Sequence, residues 1–109
     1  MELKAVQLSV DEWIKSYGVK YFHPMTNLGI LMEEVGEMAR IMTRTYGEQS
    51  MKESDKEKNL ADEMADVLWV LAALANQCDV NLEEAFENNL RKKTNRDANR
   101  HHENEKLKE

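Results

Sequence analysis

The chain has 109 residues, 41% hydrophobic and 33% charged, which describes one folded domain rather than a disordered segment. A formal charge of −6 argues against nucleic acid as a partner, although divalent ions between two sets of negative charge would still admit phosphates. The single cysteine, Cys78, excludes an intrachain disulfide and points to a reducing cytoplasm. With no signal-type run and no stretch of 18 apolar residues, neither secretion nor membrane insertion is expected.

Four Gly, one Pro and no sustained alternation predict an all-α chain. In the first segment Ser9 and Glu12 have the spacing of a capping box and Gly18 is a stop, with helical turns reaching back to about Leu3. "VKYFHPMTN" is a connector broken by Pro24, and a long helix follows from about Thr26 to Tyr46, ended by Gly47. The polar stretch "GEQSMKESDKEKN" is a loop whose Lys/Glu content could support some helix. A third helix spans about Asn59–Cys78. Asn81 caps a fourth, running from about Leu82 to Asn95 with Glu84 completing its box. Residues 1–96 form the domain, and 97–109 are a charged tail. Four helices, two of them long, make a bundle.

Two stretches carry acids where a core is expected. Glu34 and Glu37 are about 60° apart on the second helix, on a stripe with Ile30 and Ile41 and bordered by Met38. Glu63 and Asp66 have the same separation on the third, with Val67, Val70 and Leu74 on their side. Four ionised carboxylates cannot share a dry interior, so cations, protons or water must accompany them. Oxygen donors from two facing helices suit Mg²⁺ or Mn²⁺. The plainer alternative places these acids at the stripe edge, reaching solvent or paired with Arg40 and Arg44. A di-iron site would need Glu-x-x-His on two helices, and no histidine falls on these two.

"EEVGE", a spacer of 25 residues, and "EMAD" together resemble the EExxE…ExxD motif of the MazG-like nucleoside triphosphate pyrophosphohydrolases, in the all-α NTP pyrophosphatase superfamily. Trp13, "HPMTNLGILMEEVGEMAR", "EMADVL" and "DVNLEEAFENNLRKKTNR" follow the family's order, so the resemblance covers residues from about 3 to 96. It implies Mg²⁺-dependent hydrolysis of nucleoside triphosphates to monophosphate and pyrophosphate, usually as house-cleaning of non-standard or surplus nucleotides. It also implies a four-helix bundle-like fold assembled as a dimer or dimer of dimers with composite sites. By the motif, Glu34, Glu37, Glu63 and Asp66 are metal ligands. Glu33 fills the first acid position, with its role as ligand or base open.

The residues are consistent with that chemistry. No Ser-His or Cys-His nucleophile and no GxxxxGK[ST] loop occurs, so direct attack by water at the α-phosphorus is expected. Within "NLRKKTNR" the resemblance, through a family pattern of Lys or Arg followed by Asn, implies Lys92 and Asn95 as the holders of the triphosphate, although cations there also favour the helix dipole. The resemblance also implies a base pocket upstream of the motif, for which Trp13 and His23 are the choices, with Tyr21 and Phe22 beside them. Trp69 is read as a packing residue facing away from Glu63 and Asp66, and Cys78 as a small core residue. Unspent apolar faces (Leu28, Leu31, Val35, Met38 and Met42; Leu68, Trp69 and Ala72) point to a homodimer or homotetramer. Two competing expectations remain: a non-catalytic helical interaction protein with a structural cation, and the same fold acting on dUTP or phosphoribosyl-ATP.

Overall fold

The computed structural model describes residues 1–108. It contains helices α1 (Leu3–Trp13), α2 (Pro24–Tyr46), α3 (Leu60–Gln77) and α4 (Leu82–His102). A π-turn at Ile14–Gly18 follows α1, and short 3₁₀ turns lie at Glu53–Asp55 and Glu105–Leu107. No strand occurs among the described residues. The all-α expectation holds.

Helix α1 starts at Leu3, without a side-chain cap at Glu2. Ser9 is therefore inside the helix and the Ser9–Glu12 capping box is not used. Packing explains the outcome: Val6, Val10 and Ile14 recur every four residues, and this stripe packs on Ala72 and Ala73 of α3. A tertiary contact of that kind outweighs a local cap worth about 1 kcal/mol. The segment ends at Gly18 as expected, but the left-handed residue is Val19, at φ 71°.

Helix α2 begins two residues earlier than the sequence reading, with Pro24 in its first turn. His23 is its N-cap, the ring Nδ1 accepting from the Met25 amide at 3.1 Å. Proline suits that position because its missing amide hydrogen would have had no helical partner. Asn59 caps α3 and Asn81 caps α4, each accepting from the backbone three residues on. Cys78 is exposed rather than in the core. It sits just past α3, where the chain turns through Asp79 at φ 55°.

Helix α4 continues to His102, seven residues beyond the expected end. The buried Asp97 accounts for part of this, joining Arg96 at 2.8 Å and Arg100 at 3.3 Å across one helical turn. The loop after α2 is similarly pinned. Asp55, 2% exposed, accepts from Arg40 at 2.8 and 3.2 Å and from the Lys52 amide, with Arg44 at 3.5 Å. Arg40 and Arg44 are thus committed to Asp55, not to the acid pairs.

Helices α2 and α3 pack along each other, α1 lies on α3, and α4 packs mainly on α1. The radius of gyration, 17.8 Å, well exceeds the roughly 13 Å of a compact chain this long. Among the described residues, the buried apolar side chains larger than alanine are Val10, Ile14, Ile41 and Val70. So thin a core follows from α4 projecting from the other three helices instead of closing the bundle.

Candidate active site

The facing stripes of α2 and α3 bring the acids together. Glu34, Glu37 and Glu63 each offer a carboxylate oxygen, all within 4.8 Å of one another. Glu63 is buried, Glu34 half-buried and Glu37 exposed. Asp66, exposed, adjoins this cluster, and its charge acts on both Glu34 and Glu63. Glu33 is exposed and lies outside the group of three.

Burial raises the pKa of Glu34 above the usual carboxylate value, and the charges of Glu37, Asp66 and Glu63 raise it further. Glu63 is raised for the same reasons, burial first, then Glu37 and Asp66, with Lys58 opposing. One oxygen of each, Glu34 Oε2 and Glu63 Oε2, is buried without a hydrogen-bond partner. Such groups cost free energy unless something completes them. A hard divalent cation would do so: carboxylate oxygens from two helices, two of them unpartnered, suit such an ion. Arginine does not fill that role here.

Beside the acids lies a cavity of about 400 Å³, lined by residues including Trp13, Tyr21, Asn27, Glu34, Asp66 and Trp69. Glu34 and Asp66 belong both to the acidic site and to this wall. Trp13, half exposed, meets Trp69 edge to face with ring centroids 5.6 Å apart. Trp69 is three residues beyond Asp66, hence about 60° from it on the helix, so the sequence reading that turned it away from the acids is corrected. The Tyr21 hydroxyl donates to Asp11 at 2.6 Å and accepts from Asn76 at 3.1 Å, which fixes that wall.

The other chosen residues lie elsewhere. His23 does not line the cavity; its Nδ1 is occupied in capping α2. Lys92 and Asn95 are exposed on α4 and likewise do not line it. Asn27 lines the cavity but was not singled out from the sequence, because its capture by Gln77, 50 residues away, leaves no local signal.

An all-α scaffold thus sets a carboxylate cluster that could hold a metal ion against an aromatic cavity. The model of the MazG nucleotide pyrophosphohydrolase domain matches residues 22–101, and the chain belongs to that family, a family of hydrolases. It is 39% identical over 98 residues to YpjD of Bacillus subtilis strain 168, an alignment covering 90% of this chain and 88% of that one. It is 30% identical over 103 residues to YvdC of the same strain, covering 88% and 96%. The YpjD crystal structure superposes with a TM-score of 0.76 at 38% identity, covering 84% of this chain and 92% of that one. A Bacillus-conserved MazG protein, described as a nucleotide pyrophosphohydrolase, superposes with a TM-score of 0.70 at 32% identity, covering 84% and 88%.

Proposed function

We propose that this chain hydrolyses nucleoside or deoxynucleoside triphosphates to monophosphate and pyrophosphate, as house-cleaning of non-standard or surplus nucleotides. The carrying observation is that Glu34 belongs at once to the acid cluster and to the wall of the aromatic cavity. A nucleotide with its base in that cavity presents its phosphates to the carboxylates. Glu34, Glu37 and Glu63 hold Mg²⁺, with Asp66 joining them; Mn²⁺ substitutes. A bound divalent ion supplies positive charge that makes phosphorus more electrophilic and an adjacent water more acidic.

In the reaction the water oxygen bonds to the α-phosphorus. The bond from that phosphorus to the bridging oxygen breaks, and pyrophosphate leaves with it. A carboxylate accepts the water's proton; Glu33, exposed beside the cluster, is the candidate base outside it. Trp13 stacks on the base. Lys92 and Asn95, which do not line their own cavity, would hold the phosphate chain of a site completed by a second copy, with His23 as a further contact to the nucleotide there. The groove lined by Leu3, Leu68, Leu71, Leu82, Ala85 and Phe86, with Phe86 56% exposed, supports a homodimer or dimer of dimers.

Turnover in H₂¹⁸O with Mg²⁺ tests this reading. The label is expected in the monophosphate and not in pyrophosphate; label in inorganic phosphate, with diphosphate as the other product, would overturn it.

A further inference from the structure

Among the described residues, Asn27 is the one neutral polar residue that is both buried, at 6% exposed, and part of the cavity wall. Which way an amide faces is ordinarily set only by its partners, and here the partners leave one choice. The Phe22 backbone carbonyl can only accept. Gln77 donates to it through Nε2 at 2.6 Å, so Oε1 is the atom that Gln77 turns to Asn27. Asn27 then donates through Nδ2 to Gln77 Oε1 at 2.9 Å. Its own Oδ1 takes no hydrogen bond among the described residues, yet is not sealed from solvent.

We infer that Asn27 is a specificity residue whose carbonyl oxygen reads the base, and that Gln77 is a positioning residue that keeps it from turning over. Rotating the Asn27 amide by half a turn would set oxygen against the Gln77 oxygen, and rotating both would set oxygen against the Phe22 carbonyl. A fixed acceptor favours a base with an exocyclic amine over one with a keto oxygen at the same ring position. The favoured class is therefore the amino-bearing member of each matched pair, cytosine over uracil and adenine over hypoxanthine. Placement agrees: Asn27 and Glu34 are seven residues apart on α2, hence about 20° apart around the helix and about 10 Å along it. That separation is of the order of the span from a base edge to its 5′-phosphate.

This inference rests on the nucleotide reading above, so its test separates binding of the base from hydrolysis. Deoxycytidine and deoxyuridine monophosphates are titrated against the full chain by quenching of Trp13 and Trp69 fluorescence, and the adenine and hypoxanthine pair likewise. The expected preference for the amino member is about tenfold, the scale of one hydrogen bond made or lost. Gln77→Met, which frees the amide to turn, and Asn27→Ala, which removes it, should each bring the ratio toward one. General damage to the fold would weaken both members of a pair and leave their ratio intact. If Gln77→Met does not fold, Asn27→Ala carries the test. A wild-type ratio near one, or a ratio that neither variant moves, overturns the inference. Retained preference without any pyrophosphate release would instead overturn the reaction and leave the base reading standing.

Discussion

Replacing Glu63 by glutamine should make the ion-free protein more stable, not less. Glu63 is 7% exposed, and its carboxylate shares a space within 4.8 Å with those of Glu34 and Glu37. At that separation, with an effective dielectric between that of a protein surface and water, each ionised pair repels by about 1–3 kcal/mol. Glutamine keeps the shape and removes the charge, relieving two such repulsions. Glu37 is exposed, so solvent screens part of this repulsion, and a net gain of about 1 kcal/mol is expected. That gain corresponds to about 4 °C in Tm. Thermal melts in EDTA measure it. Adding Mg²⁺ should then reverse the order: ion at 10–100 times its Kd stabilises the wild type by about 1.4–2.7 kcal/mol, and Glu63→Gln should gain far less. A lower Tm for Glu63→Gln in EDTA, or a wild type indifferent to millimolar Mg²⁺ and Mn²⁺, would refute the reasoning.

Other expectations follow from the same structure. Asp55→Asn should lower Tm by about 5 °C or more at pH 7, since it leaves Arg40 and Arg44 without their buried partner. The Asp55 pKa is lowered from 3.8, first by the hydrogen bond from Arg40. Its contribution is therefore present above the ordinary value and lost as pH falls through the lower folded value. Melts between pH 5 and 2.5 should show the wild type losing its advantage over Asp55→Asn, and a constant difference would contradict this. Trp13→Ala should raise KM about tenfold or more with a smaller change in kcat, a stacked base being worth about 1–3 kcal/mol; an equal loss in kcat alone would place Trp13 elsewhere in the mechanism. Ile41→Ala, at a site 2% exposed, should cost about 2–4 kcal/mol in urea unfolding.

Much of the fold was legible because its signals are local. Asn81 marks the start of α4 and its cap is used, whereas Asn59, which the sequence reading places as the first residue of the third helix, is its cap. Ser9 carried an equally good cap signal and lost, because Val6, Val10 and Ile14 find α3 only if the helix begins earlier. The site was half legible. An acid on an apolar stripe is a conflict visible in the sequence, and Glu34, Glu37 and Glu63 converge in the structure. Trp69 was misread because a residue three positions from Asp66 shares its face of the helix. Asn27 and Gln77 look ordinary alone. Their meaning comes from a hydrogen bond between the start of α2 and the end of α3, a distance in sequence that no periodicity reports.

The most direct test of the central claim is turnover of a panel of canonical and modified NTPs and dNTPs, resolving pyrophosphate from inorganic phosphate, with and without excess EDTA. The account predicts nucleotide monophosphate and pyrophosphate in equal amounts, spread over several dNTPs, abolished by EDTA and reduced about a hundredfold or more by Glu37→Gln. Undiminished activity in EDTA, undiminished activity of Glu37→Gln, or no turnover of any nucleotide with Mg²⁺ or Mn²⁺ would contradict it.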